Sequence, residues 1–166
     1  TSNVRANQTA GFSIVSYTGN GTAGATIGHG LSAAPEMVWY KNRDRNENWG
    51  IYAKVIGASK SLYSPSTTSA LTANSGSANM YNSTDPSATV LTVGQAPHVN
   101  ANGEDIIAYC FTSVEGYSKV FQYIGNGSAD GPFVHCGFRP RFILYKAHSQ
   151  SEHWHIRDTE RETVNT

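Results

Sequence analysis

The stretch Phe12-Ser-Ile-Val-Ser-Tyr17, followed by Thr-Gly-Asn-Gly21, decides the fold class of this chain. Its first six residues are rich in β-branched and aromatic side chains, which is typical of a β-strand. The Thr-Gly-Asn-Gly segment tolerates positive φ and is a strong signal for a hairpin turn. A short strand that ends in such a turn indicates an all-β protein built from antiparallel strands.

The same pattern occurs a second time further along the chain. Residues 116–123 resemble the opening strand, and the turn Gly125-Asn-Gly127 follows them. Downstream, matched positions keep a constant offset of 105 residues, and they are 37–41 with 142–146, Trp49 with Trp154, and Ile51 with Ile156. We therefore predict an internal duplication with copies at residues 11–52 and 116–157.

The duplication has two interpretations that the sequence leaves open. It is either a packing unit used twice or a pair of equivalent ligand sites. A solenoid does not fit, because solenoid repeats are shorter and need several copies. Two copies in one domain favour the halves of a sandwich related by a pseudo-twofold axis, or strands exchanged between neighbouring repeats. We predict a single antiparallel β-sandwich domain over residues 1–166, of the lectin-like or jelly-roll type.

Several other segments have a clear structural pattern. Strands are predicted at residues 36–41, 49–54, 88–93 and 105–112, which are apolar or β-branched. Residues 100–103, Asn-Ala-Asn-Gly, predict the turn between the last two of these strands. Residues 57–86 are rich in Ser, Thr, Asn and Ala, and we expect long surface loops with a short strand or two. No helix is predicted.

The composition limits the kinds of partner that we expect. Twelve basic and twelve acidic side chains cancel, so no electrostatic argument favours nucleic acid or an anionic membrane as a partner. No apolar run approaches the roughly 20 residues that a membrane-spanning helix needs, so membrane insertion is not predicted. Because the sequence opens on Thr-Ser-Asn without a methionine, we expect an excerpt of a longer chain or a processed product.

The two cysteines lie far apart in apolar, strand-like surroundings. Cys110 follows Ala-Tyr and Cys136 follows Val-His, and they form no CxxC pair. We interpret both as buried free thiols, although a disulfide between them also fits the low charge content. Nothing beside either residue would lower the thiol pKa, so neither is predicted to be a nucleophile.

A row of polar side chains near the end of the chain is the best candidate surface. His153 and His155 flank Trp154, and they share one face of a predicted strand with Arg157. A metal site would need a third ligand, and none is identifiable. We predict that Trp154 and Ile156 face the core while the histidines and Arg157 face outward. The corresponding outward position in the first copy is Tyr52, so these four residues are the predicted ligand or partner surface.

The acidic residues give no sign of catalysis. They are few and lie mostly in turns, whereas a glycosidase needs two carboxylates that face each other. We therefore predict no catalytic residue, no metal, no cofactor and no enzymatic activity. A glycan-processing enzyme remains the weakest of the alternatives.

Residues across nearly the whole chain resemble a family of domains from marine bacteriophages. The segments that carry the resemblance are residues 1–15, 28–31 with Ala34-Pro35, 90–94 with 99–103, 107–111, and 125–133 with 137–140. The family occurs in large structural and tail proteins of phages that infect cyanobacteria and abundant ocean bacteria. Cys136 and the paired histidines at 153 and 155 depart from its pattern, and they leave ligand specificity open.

The resemblance implies a component of the virion with a lectin-like β-sandwich. The first functional expectation is a tail-fibre or adhesin domain that contacts the host surface, with host glycan as a candidate ligand. The second is a capsid decoration or fibre-shaft domain without a ligand. Under either expectation the partners are other virion proteins or copies of this chain, and the location is the surface of the extracellular particle.

Overall fold

The computed structural model describes residues 2–66, 72–73 and 79–160. The elements are β1 (Ser2–Asn7), β2 (Phe12–Thr18), β3 (Ala25–Gly28), β4 (Met37–Asn42), β5 (Trp49–Ala53), β6 (Lys60–Ser64), β7 (Thr72–Ala73), β8 (Val90–Val93), α1 (Pro97–Asn100), β9 (Asp105–Phe111), β10 (Phe142–Lys146) and β11 (Trp154–Asp158). In this part of the chain no helix is long and apolar enough to cross a membrane. The fold is an all-β sandwich of antiparallel sheets, as predicted.

The main sheet has seven strands in the order β1-β2-β9-β4-β5-β6-β7. Strand β9 lies in its interior and pairs with β2 on one side and β4 on the other. Side chains alternate in burial along these strands, with Val15, Val38 and Ala108 fully buried on one face. The core therefore lies on that face of the sheet.

A second, two-stranded sheet covers the core face. Strands β3 and β8 pair in antiparallel fashion from Ala25↔Val93 to Gly28↔Val90. Their residues Ile27, Leu91 and Val93 join the core of the main sheet. Burial of large apolar side chains between two packed layers is the main source of stability in such a domain.

The third sheet is the hairpin of β10 and β11. Its register runs from Phe142↔Asp158 to Lys146↔Trp154, and the β4–β5 register runs from Met37↔Ala53 to Tyr40↔Gly50. Each pair of β4–β5 falls on a pair of β10–β11 when 105 is added to both numbers. The predicted offset thus relates two hairpins whose strands pair in the same register.

The rest of the predicted second copy differs from the first. Residues 117–123 form no strand beyond an isolated bridge from Val114 to Ser118, although the matching residues form β2. Strand β2 is held between β1 and β9, whereas no strand of the described chain pairs with residues 117–123. A complete structural duplication is therefore not seen.

Two local predictions are wrong, one of a hairpin and one on helix content. The Gly19–Gly21 turn does not close a hairpin, because β2 pairs with β1 and β9 whereas β3 pairs with β8. The turn predicted at residues 100–103 is present at residues 102–103 between β8 and β9, and it connects two different sheets. A short helix, α1, is present where none was predicted, and Pro97 at its start suits a first helical turn.

The segment 57–86 contributes more to the fold than loops would. Its strands β6 and β7 were expected as short strands, but Met80 and Tyr81 are also fully buried in the core. The Tyr81 ring contacts the rings of Tyr40 and Tyr52, with centroids 5.9 and 5.5 Å apart. Residues 67–71 and 74–78 of this segment lie outside the described residues.

Both cysteines are free thiols, so the alternative of a disulfide is not realised. Cys110 is fully buried on the core face of β9, as predicted. Cys136 is only partly buried, and its sulfur lies 2.9 Å from the carbonyl oxygen of Phe138. The two thiols therefore differ in their access to reagents.

We expect an aromatic disulfide reagent to titrate one thiol per folded chain at pH 8. Burial raises the pKa of Cys110 to about 12, so almost none of this thiol is ionised, and the residue has no exposed surface. The reactive thiol is Cys136. Cys136→Ser should leave no fast-reacting thiol in the folded chain, whereas Cys110→Ser should keep it. Fast reaction of Cys110 in the folded state would contradict the assigned core.

Candidate functional surface

The face of the main sheet opposite the core carries a band of aromatic rings. Trp39, Trp49 and Tyr109 lie side by side on β4, β5 and β9, because alternate residues of a strand share one face. The Trp39 and Trp49 rings are 6.2 Å apart, and the Trp49 and Tyr109 rings are 5.9 Å apart. We call these three residues the aromatic band.

The β10–β11 hairpin contacts the aromatic band through one tryptophan. The Trp154 ring lies 5.3 Å from the Trp39 ring, and its Nε1 donates a hydrogen bond of 2.9 Å to the carbonyl oxygen of Tyr63. Trp154 corresponds to Trp49 at the offset of 105, so equivalent faces of the two hairpins meet. The face of the hairpin that points away from the aromatic band corresponds to the core face of β4–β5.

Three of the four predicted surface residues lie on or beside the face of the β10–β11 hairpin that points away from the aromatic band. His153 and Arg157 are exposed, and His155 is half-buried. The His155 ring stacks on the Tyr145 ring, with centroids 5.0 Å apart and planes 13° from parallel. The outward orientation predicted for the two histidines and Arg157 agrees with this arrangement. Ile156, predicted to be in the core, is half exposed.

The prediction that Tyr52 is a surface residue is wrong. Tyr52 is 1% exposed and packs in the core, and its hydroxyl donates a hydrogen bond of 3.1 Å to Asp85. Burial, followed by the neighbouring Asp85 carboxylate, raises the pKa of the Tyr52 hydroxyl. The error arose from assigning the tryptophans to the core face, since strand alternation then places Tyr52 outside.

The second half of the chain exposes most of the large apolar side chains found at the surface. Among the residues that the structure describes, only Val55 lies outside it, and the others are Tyr117, Phe121, Tyr123, Ile124, Phe133, Phe142, Ile143 and Ile156. Phe133 and Ile124 are the most exposed, at 91% and 89%. Large contiguous patches of exposed apolar side chains are typical of interaction surfaces, so this part of the chain is the candidate for one. Sequence patterns did not reveal it, because the same residue types are buried in the first copy.

Two small clefts are present on the described surface. The clefts, of about 160 and 250 Å³, lie beside Tyr17 and Thr18, and both are smaller than the roughly 300–1,000 Å³ of typical ligand pockets. Within residues 2–66 and 79–160, no three His, Cys, Asp or Glu side chains cluster as a metal site would require.

The Glu104 and Asp85 carboxylates make structural contacts. Glu104 binds Arg45 at 2.5 Å and accepts a hydrogen bond of 2.7 Å from Asn42. The hydrogen bond from Arg45 holds the pKa of Glu104 below its usual value. Asp85 accepts hydrogen bonds from the Tyr52 hydroxyl and the Ala58 amide. These carboxylates tie loops to the sheet, and the lowered pKa of Glu104 does not suit a general acid.

The fold and its surface define a β-sandwich domain with one well-packed half and one half rich in exposed apolar residues. The chain belongs to the family described as Domain of unknown function (DUF7483), whose model matches residues 1–166. No curated protein and no solved structure gives a significant match.

Proposed function

We propose that this chain is a structural domain of a bacteriophage virion, in a tail fibre or another surface part, that associates with neighbouring protein segments. It acts by binding and not by catalysis. The observation that carries the proposal is the concentration of exposed apolar side chains in residues 117–156. The sequence resemblance to virion proteins of marine phages supplies the setting.

The pattern of exposure favours a protein partner over a small molecule. Ile143 and Ile156 are 42% and 49% exposed, although their counterparts Val38 and Ile51 are fully buried. Water contact with so much apolar surface costs about 25 cal/mol per Å² relative to burial, so covering it stabilises an assembly. The balanced net charge and shallow clefts give no comparable support to nucleic acid or a buried ligand.

Immunogold electron microscopy of the particles tests this proposal. Antibodies against the chain should label intact virions at regular positions on the tail or another surface part. If purified particles carry no label and only lysates of infected cells contain the chain, a virion role is rejected. Regular label on the head would keep a structural role and reject the tail-fibre location.

Adhesion to host glycan is a second candidate function, and exposed tyrosines favour it. Tyr117 and Tyr123 are 66% and 50% exposed, and tyrosine rings stack readily on sugars. Such shallow contacts are weak singly but gain strength when many copies act together. A glycan array probed with particle-bound or clustered chain should show selective binding that Tyr123→Ala reduces. No binding in clustered form would reject the adhesin role.

A further inference from the structure

We propose that the free edge of β10 is an acceptor site for an extended, alternately apolar strand with the chemistry of β9. The inference deepens the proposed assembly role, and rests on it, by naming the kind of segment that is bound. Its starting point is the identical register of the β4–β5 and β10–β11 hairpins at an offset of 105 residues. The place beside β10 is the place that β9 fills beside β4.

Strand β9 completes the first hairpin in a defined way. It pairs with β4 from Met37↔Phe111 to Asn42↔Ile106. The Arg43 amide donates a hydrogen bond of 2.8 Å to the Asp105 carbonyl, so alternate pairs further along, Lys41↔Ile107 and Trp39↔Tyr109, exchange the ladder hydrogen bonds. The backbone groups of Trp39 are thereby directed to β9.

The same groups of β10 have no strand partner within residues 2–66, 72–73 and 79–160. The Thr159 amide donates a hydrogen bond of 3.1 Å to the Arg141 carbonyl. Because hydrogen-bonded pairs alternate along an antiparallel ladder, the N–H and C=O groups of Ile143 and Tyr145 also point to β11. By alternation, the N–H and C=O of Phe142 and Leu144 point to the open edge. Leu144 is the counterpart of Trp39 at the offset of 105. An open edge of this kind pairs readily with another strand.

The side chains beside this edge show what the incoming strand must carry. Ile143 and Tyr145 correspond to Val38 and Tyr40, which are 0% and 1% exposed in the core beside Ala108 and Cys110 of β9. On the hairpin, Ile143 is 42% exposed. A strand with small apolar residues at alternate positions would do two things at once: it would cover the Ile143 side chain and pair with the Leu144 backbone. Strand β9 has this alternation.

A synthetic peptide with the sequence of residues 105–111, flanked by lysines and with Cys110→Ser, tests the site. We expect the labelled peptide to bind the full 166-residue chain in fluorescence anisotropy. N-methylation of the peptide at Tyr109 removes a donor directed to β10 and should weaken binding at least tenfold. N-methylation at Ala108 removes a donor directed away from β10 and should change binding less than twofold.

Variants of the chain locate the peptide on the molecule. Ile143→Asp places a charge on the surface to be covered and should weaken binding at least tenfold. Phe133→Asp is the matched control, since Phe133 is exposed but lies outside β10, and it should leave affinity unchanged. Both positions are exposed enough to change without loss of folding, which circular dichroism would verify.

Three results would overturn the acceptor site. They are no binding at any soluble concentration, equal effects of the two N-methyl groups, or a dimer of the chain alone that is lost in Ile143→Asp. The last result would show that a second copy occupies the edge. If the peptide does not bind but antibodies label virions regularly, the strand site alone is rejected. If the peptide binds but virions are not labelled, the virion setting alone is rejected.

Discussion

Replacement of Gly19 by alanine is expected to lower the free energy of unfolding by about 3 kcal/mol, at the upper end for overpacking of a close-packed site. A Cβ atom at Gly19 would lie 2.2 Å from the carbonyl oxygen of Ala101, which is backbone and has no freedom to rotate away. The Gly19 amide also donates to the Glu104 carbonyl at 2.8 Å, so the strand end cannot shift without losing this bond. Urea denaturation followed by tryptophan fluorescence measures the change.

Gly125 provides a control that is matched in sequence. It is the counterpart of Gly19 in the repeated Gly-Asn-Gly motif, but a Cβ atom there meets nothing within 4 Å. Gly125→Ala should therefore leave stability unchanged or raise it by less than about 1 kcal/mol through the unfolded chain. Equal destabilisation by the two replacements would contradict the different surroundings of the two motifs.

Replacement of Asn100 by alanine is expected to lower the free energy of unfolding by about 4 kcal/mol, because three hydrogen bonds of a buried side chain are lost together. The Asn100 side-chain amide donates to the carbonyls of Thr22 and Gly94 at 2.9 and 2.8 Å. Its oxygen accepts from the Asn20 amide at 2.9 Å. The side chain thus joins the turn after β2 to the end of β8. Alanine would remove these bonds from the Asn20 amide and the Gly94 carbonyl, and it would leave the Thr22 carbonyl only its bond from the Ala25 amide.

Two further variants distinguish the loss of the Asn100 hydrogen bonds from a general effect of substitution in this loop. Asn102 lies two residues away and is exposed, so Asn102→Ala should change stability by less than about 0.5 kcal/mol. Asn100→Asp keeps the acceptor for Asn20 but directs a carboxylate at two carbonyl oxygens, so it should destabilise at least as much as alanine. A small effect of both Asn100 variants would show that this network does not hold the two sheets together.

Five strands of the first 111 residues were predictable because each carries its own signal, whereas β1 and β3 were not predicted. The β-branched and aromatic runs at β2, β4, β5, β8 and β9 identified them within one or two residues. Which strands pair was not predictable, since β2 bonds to β9, 87 to 99 positions away by their register, and not to its neighbour β3. Long-range pairing depends on which faces pack together, and local turn signals do not encode it.

The candidate surface was predictable only in part. The outward row of His153, His155 and Arg157 follows from strand alternation alone, and the structure agrees with it. Tyr52 was misplaced because either face of β5 could have been the core, since Trp49, Ile51 and Tyr52 are all large and apolar or aromatic. The exposed half of the chain could not be inferred, because exposure depends on whether a covering strand is present and not on the residue itself.

Amide hydrogen exchange at Trp39 and Leu144 tests most directly the central claim that matched hairpins differ in one missing strand. These residues occupy equivalent positions, but the Trp39 amide is directed to β9 and the Leu144 amide to an open edge. In the monomeric chain we predict that Leu144 exchanges at least ~100-fold faster than Trp39, while Ile143, bonded to β11, exchanges more slowly than Leu144. Equal protection of Leu144 and Trp39 in the monomer would contradict an open edge at β10.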